Sequence, residues 1–257
     1  MAAMNKQEGP VIEACSLSAA YDGQAANGSG MVLREIAFAI QAGERVALVG
    51  ANGAGKTSLL LTMVGILPIA SGSLEMGGVE LGAGPQDKRK LQELRSRVSL
   101  VFQDPEDQLF MPSIYEDLAF GPRNMGLSET EVRDRVDEVL DRLGISFLRD
   151  RSPLRLSGGE KRLAAIAASL TMNPSILLFD EPTAFLDPKA RRKLMGILQS
   201  LPHTQLIATH DLDFAASLCP RVILLQEGAV FAQGPAEELL RNGALMDQCG
   251  LEAVELA

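Results

Sequence analysis

The chain has 257 residues, 24 of them basic and 33 acidic, for a formal net charge of −9. That length allows one large domain or two small ones, and the acidic balance argues against a general nucleic-acid surface. Hydrophobic residues at 46% and charged residues at 22% describe an ordinary globular protein, and no apolar run reaches the roughly 18 residues that span a bilayer.

Met1 to Gly9 is polar, lacks a signal-peptide core and reads as a flexible tail, so a cytoplasmic chain is expected. Val11 to Ala20 reads as a weak strand, and Asp22 to Gly30, rich in Gly, Asn and Ala, as a loop. Ile36, Phe38 and Ile40 alternate with alanines as in a half-buried strand. Val46 to Val49 is a short apolar run followed by Gly50, Ala51, Asn52, Gly53, Ala54, Gly55, Lys56, Thr57 and Ser58, after which Leu59, Leu60, Met63 and Val64 repeat at helical spacing. Strand, G-x-x-x-x-G-K-[ST] and helix together form a phosphate-binding loop. Glycines let backbone N–H groups turn inward around a polyphosphate, the helix N-terminus adds partial positive charge, Lys56 reaches the outer phosphates, and the Thr57 hydroxyl suits Mg²⁺.

Ser71-Gly72 and Gly77-Gly78 bracket a short strand around Leu74; Gln86 to Arg97 reads as a surface helix and Val98 to Phe102 as a buried strand delivering Gln103. From about 112 to 155 the texture is helical, with Ser128 and Glu131 at capping-box spacing and Leu127 with Val132 as a hydrophobic staple. Ser157 and Glu160 repeat the capping-box spacing before Leu163, Ile166, Ala167 and Leu170. Ser175 to Phe179 is a strand ending in Asp180-Glu181-Pro182; Lys189 to Leu201 is helical; Leu206 to Thr209 is a strand ending in His210-Asp211; Val222 to Leu225 and Ala229 to Ala232 flank a hairpin turn; a helical tail begins at Pro235. Alternating strands and helices predict a mainly parallel α/β sheet. Cys15, Cys219 and Cys249, without metal-ligand spacing, read as buried free thiols, and His203 and His210 are the only histidines.

L-S-G-G-E (Leu156 to Glu160), then D-E-P-T (Asp180 to Thr183), Gln103 after its strand, Leu186-Asp187 and His210 come in an order that resembles the ATP-binding cassette (ABC) family, over Tyr21 to about Ala232. The resemblance implies an α/β fold: a P-loop NTPase (RecA-like) core with an N-terminal antiparallel β subdomain and an inserted α-helical subdomain, residues 10–232 forming the nucleotide-binding domain and 233–257 a helical tail. It implies ATP and Mg²⁺ as ligands. Asp180, Gln103 and Thr57 would attend the metal, Glu181 would orient or deprotonate the attacking water, His210 would contact the γ-phosphate, and Tyr21 would stack on adenine. Ser157, Gly158 and Gly159 would face ATP held by a second subunit, with Asp187 bridging the two. Glu160 stands where glutamine is commoner and is read as the capping partner of Ser157; Phe185 stands where glycine is often seen.

V-F-Q-D-P-E-D-Q-L-F (Val101 to Phe110), Asp117 to Pro122 and L-S-G-G-E-K-R are similar to the ATPase subunits of energy-coupling factor importers for vitamins and transition metals; T-H-D-L-D-F-A (Thr209 to Ala215) leans toward the nickel/cobalt group. This implies a homodimer or a pair with a sister ATPase, a transmembrane coupling subunit and a substrate-binding membrane subunit, at the cytoplasmic membrane face. Asp104, Glu106 and Asp107 are expected to form an acidic rim for an arginine-bearing coupling helix, the plainer alternative being a solvated loop. A non-transport ABC ATPase of DNA repair, chromosome structure or translation is the competing expectation; the short helical insert, the single cassette and the acidic balance disfavour it.

Overall fold

A computed structural model of the protein describes residues 9–21 and 30–253. The expected tail and the loop over Asp22 to Gly30 lie almost wholly outside the described residues. The strands are β1 (Ile12–Ala20), β2 (Met31–Ile40), β3 (Arg45–Val49), β4 (Ile69–Met76), β5 (Val79–Gly82), β6 (Val98–Val101), β7 (Ile176–Asp180), β8 (Thr204–Thr209), β9 (Arg221–Gln226) and β10 (Ala229–Pro235). The helices are α1 (Lys56–Met63), α2 (Lys88–Arg97), α3 (Ile114–Asn124), α4 (Glu129–Leu143), α5 (Gly158–Leu170), α6 (Pro188–Ser200), α7 (Leu212–Leu218), α8 (Ala236–Leu240) and α9 (Gly243–Gln248).

A six-stranded sheet runs β10-β9-β3-β8-β7-β6, parallel except for β10, and a four-stranded antiparallel sheet runs β2-β1-β4-β5. The parallel strands are covered on both faces, as such sheets require: every residue of β7 and β8 is buried. Strand alternation divides them between two cores. Val46, Leu48, Leu178 and Leu206 face α1 and the antiparallel sheet, while Ala47, Val49, Phe179 and Ile207 face α3 to α9. The helix α5 packs against α3, α4 and β6, so the packed helical unit continues past residue 155.

Both expected capping boxes form, at Ser128–Glu131 and Ser157–Glu160. Ser71-Gly72, expected to bound the strand around Leu74, is instead a bulge inside β4: the register with β1 shifts there, Gly72 has φ +79°, and a Cβ on it would lie 2.2 Å from the Ser16 carbonyl oxygen. The sequence also gave no separate signal for β5 or α7. Cys219 and Cys249 are buried, but Cys15 is exposed, because it falls on the outward side of β1 beside the bulge. Among the described residues no helix is long and apolar enough to cross a membrane.

Candidate nucleotide site

The strand β3 ends at Val49 and the chain turns through Gly53 (φ +81°) and Gly55 (φ +103°) into α1. A Cβ on Gly50 would sit 2.4 Å from the Leu225 carbonyl oxygen, so the end of β9 holds the loop closed against its own sheet. No side chain caps α1 and its first turn carries no acid, which leaves its opening N–H groups facing the cleft for an anion. Lys56 is buried, and its Nζ donates to the carbonyls of Gly50 (2.7 Å) and Ala51 (3.3 Å) and lies 3.5 Å from Glu181 Oε1.

Thr57 Oγ1 donates to Asp180 Oδ2 at 2.8 Å across the start of α1 and the end of β7. The other Asp180 oxygen, Oδ1, is buried without a hydrogen-bond partner. Burial pushes the Asp180 carboxyl above its ordinary range; the Thr57 bond opposes this and the neighbouring Glu181 charge adds to it. An orphaned carboxylate oxygen beside a hydroxyl is a hard-oxygen pair that lacks a cation. Among the described residues no three His, Cys, Asp or Glu side chains cluster to hold a metal. Asp180 and Thr57, with Gln103 in the same cleft, offer oxygens that would suit Mg²⁺.

Glu181 is buried at φ +43°. Its Oε1 meets His210 Nδ1 at 2.9 Å, and its Oε2 accepts from Thr209 Oγ1 (3.1 Å) and the His210 backbone N–H (3.3 Å). Residues Asn52 to Ser58, Gln103, Asp180, Glu181 and His210 line one cleft of about 660 Å³. Tyr21, 45% exposed, stands at its edge with its hydroxyl hydrogen-bonded to Ser58 Oγ at 3.1 Å.

The remaining expected residues are elsewhere on the chain. Ser157, Gly158, Gly159 and Asp187 line a separate pocket of about 480 Å³ with Phe185 and Lys189. Ser157 Oγ is held by its own capping box, donating to Glu160 Oε2 at 2.7 Å, and bonds from the Ser157 N–H and hydroxyl keep the Glu160 carboxyl below its usual range. Asp187 caps α6 by accepting from the N–H groups of Lys189 (2.8 Å) and Ala190 (2.9 Å), with Ala190 the larger cause of its lowered pKa. Phe185 is 92% exposed at φ +62°. Glu106 is ion-paired with Lys161, and Asp104 caps the short turn that follows it, so only part of the expected acidic rim is uncommitted.

The sequence profile described as ABC transporter matches residues 33–184. This chain belongs to the ABC transporter family. A protein of Geobacter sulfurreducens named simply for ABC transporter ATP-binding is 50% identical over 220 residues, 86% of each chain. The cobalt import ATP-binding protein CbiO of Rhodobacter capsulatus is 43% identical over 245 residues, 94% of this chain and 85% of that one. Among solved structures, cbiO1 of Clostridium perfringens, part of the ABC transporter complex cbiONQ, superposes with a TM-score of 0.80 at 36% identity over 94% of both chains. The ADP- and phosphate-bound dimer of MJ0796 gives 0.75 at 25% identity, over 88% of this chain and 98% of that one. The chain is thus an ABC-type ATPase, the ATP-binding subunit of a transporter.

Some residues of this ABC ATPase site carried no sequence signal. Met31, Val32 and Arg34 of β2 and the turn Glu227-Gly228 form one wall of the cleft. Gly228 is wedged there: its N–H donates to the Ala54 carbonyl at 3.0 Å, its carbonyl accepts from Arg34 N–H at 2.7 Å, and a Cβ would lie 2.2 Å from the Val32 oxygen. The glycine after Glu227 was visible as a hairpin signal, but its seat against the phosphate loop is purely tertiary.

Proposed function

We propose that two copies of this ABC ATPase clamp two ATP molecules and so drive an importer of the energy-coupling factor type. One observation carries the reading: Lys56, Thr57, Asp180, Glu181, His210 and Gln103 converge on a single cleft, while Ser157, Gly158, Gly159 and Asp187 stand in a different pocket. A chain with both halves but not face to face is completed by a second copy related by a two-fold axis.

In this reading the N–H groups of Gly50 to Ser58, with Ala51, Asn52 and Ala54 supplying backbone, cradle the phosphates, and Lys56 leaves its loop carbonyls to meet them. Tyr21 stacks on the adenine. Thr57 and Asp180 hold Mg²⁺, which supplies charge neutralisation at the transferring phosphoryl group. Gln103 presents its amide to the water and the metal. Glu181 orients or deprotonates the water, and His210, held by Glu181, steadies the γ-phosphate. Ser157, Gly158 and Gly159 close on the partner's ATP, and Asp187 bridges the halves.

The membrane partner would dock in the groove of about 400 Å³ beside the Gln103 loop, where Ile66, Phe110 and Phe120 are exposed next to Phe102 and Asp107. Likeness to CbiO and to cbiO1, together with the Thr209 to Ala215 sequence, favours a transition metal, cobalt or nickel, over a vitamin as cargo. The protein would then sit at the cytoplasmic membrane face and bind no nucleic acid. The test is coexpression with candidate coupling and substrate-binding subunits. Copurification with the membrane fraction, weakened by Asp104→Lys with Glu106→Lys, supports the reading; a chain that neither retains Mg-ATP nor associates in its presence overturns it.

A further inference from the structure

The loop that carries Gln103 is fastened to a helix and not to the sheet that delivers it. Beyond β6 the segment from Phe102 to Gln108 meets α5 at successive turns. Lys161 pairs with Glu106. Gln108 Nε2 donates to the Ala165 carbonyl (2.9 Å) and to Ser169 Oγ (3.0 Å). Between them Arg162, 1% exposed, donates from Nη1 to the Phe102 carbonyl (2.7 Å) and from Nη2 to the Gln103 carbonyl (2.6 Å). The Gln103 side chain itself has no hydrogen bond among the described residues, so its place in the cleft is set through its backbone.

Arg162 is an expensive way to hold a loop. Among the described residues its guanidinium has no carboxylate within ion-pair distance, its Nε is buried without a partner, and burial lowers its pKa to about 10 against the more distant attraction of Asp104 and Asp180. Such a charge persists where its two-pronged geometry is needed. Two adjacent carbonyls held by one planar fork cannot rotate independently, whereas a lysine ammonium, a freely turning point charge on a shorter stem, imposes no such plane on them.

We propose that Arg162 is a positioning residue that locks Gln103 to the helix beginning at Ser157-Gly158-Gly159, so that the same rigid body carries the water- and metal-sensing amide of one ATP site and the anion-binding turn of the other. This rests on the reading of Gln103 and of the two-copy clamp given above. Its consequence is that engagement of Ser157 by the partner's nucleotide sets Gln103 in its own cleft, and that one ATP site senses the other through α5. The path is three residues long from the Gly159 turn to the guanidinium and one hydrogen bond from there to Gln103.

A double-mutant cycle tests it, using Mg-dependent phosphate release by the full chain and thermal unfolding of the same samples. Arg162→Lys is expected to lower kcat at least tenfold with KM for ATP changed less than threefold, and Gln103→Ala to do the same. Arg162→Lys added to Gln103→Ala should then lower kcat less than twofold further, while the drop in Tm caused by Arg162→Lys is equal in both backgrounds. Losses in kcat that multiply across the cycle, or that vanish when each variant is assayed at an equal interval below its own Tm, would overturn the proposal, since a merely structural arginine acts on whatever Gln103 is present. If Gln103→Ala alone leaves kcat unchanged, it is the assignment of Gln103 that fails. Lys161→Ala, which removes the exposed tie to Glu106, serves as the control and should change kcat less than twofold.

Discussion

Replacing Glu181 by glutamine separates chemistry from architecture in this site. The carboxylate has four neighbours: Lys56 Nζ at 3.5 Å and His210 Nδ1 at 2.9 Å on Oε1, Thr209 Oγ1 at 3.1 Å and the His210 N–H at 3.3 Å on Oε2. Glutamine keeps the shape. With its oxygen toward Lys56, its amide faces Thr209, which can accept, and the His210 N–H, which cannot, so about one hydrogen bond worth roughly 1 kcal/mol is lost. Neutralising the charge also removes an attraction to Lys56 of about 5 kcal/mol at an effective dielectric near 20, but it spares the desolvation of a buried carboxylate, a cost of several kcal/mol. Folding stability should therefore move by no more than about 2 kcal/mol. Turnover should fall about 10²- to 10⁴-fold, the span of a lost general base, equivalent to roughly 3–5 kcal/mol of barrier. Phosphate release and size-exclusion chromatography in Mg-ATP read both sides. ATP-loaded dimers should accumulate in Glu181→Gln while hydrolysis nearly stops. Turnover within threefold of the parent chain, with folding intact, would refute the role given to Glu181.

Gly228→Ala should cost about 3 kcal/mol in urea unfolding, adding left-handed strain at φ +78° to a 2.2 Å overlap with the Val32 oxygen, and should weaken ATP binding by shifting Ala54; Gly43→Ala, at φ +76° with open space around it, should cost only about 1 kcal/mol. Phe185→Gly should raise the stability of the isolated chain by about 0.5–1 kcal/mol, read as a Tm rise, because it relieves a left-handed phenylalanine whose ring has no burial to lose. His203 is held below its ordinary pKa of 6.5 by burial and then by Arg142, with Nδ1 buried and unbonded. The unfolded chain then takes up a proton at higher pH than the folded one, so this contribution to stability is present above pH 6.5 and is lost as pH falls through the lower folded value. His203→Leu should flatten that decline between pH 7 and 5, and an unchanged slope would reject the assignment.

What could be read in the sequence was what local chemistry dictates. The phosphate loop is contiguous, so its glycines, Lys56 and Thr57 announce themselves, and both capping boxes lie within four residues. Asp180 and Glu181 were legible because a run of apolar residues delivers them at a strand end. The cleft wall from Arg34 and Glu227 was not, since it depends on the β9–β10 hairpin meeting β2 nearly two hundred residues away in sequence. Nor was the bond from Arg162 to two backbone carbonyls, which have no residue identity to recognise. Gly72 misled because glycine serves a strand end and a bulge equally well, and only the Ser16 carbonyl in its Cβ space distinguishes them.

Two non-glycine residues in left-handed conformation, Glu181 and Phe185, lie within one short turn. Each costs of order 1–3 kcal/mol and persists only where surroundings over-determine it. For Glu181 the surroundings are plain: its N–H donates to Ala208 (2.8 Å), its carbonyl accepts from Ala184 (3.0 Å), and its carboxylate is fully occupied by β8 and the residue after it. Further along, Leu186 N–H bonds to the Thr183 carbonyl, Thr183 and Arg191 both reach Asp211, and Asp187 caps α6. The turn is thus pinned at Glu181, Thr183, Ala184, Leu186 and Asp187, and it leads from the buried end of the cleft to the pocket beside Ser157. A flexible link there would leave the two half-sites free to shift against each other. A pinned one keeps them in separate pockets, which is what the proposed two-copy clamp requires of the turn at Ser157.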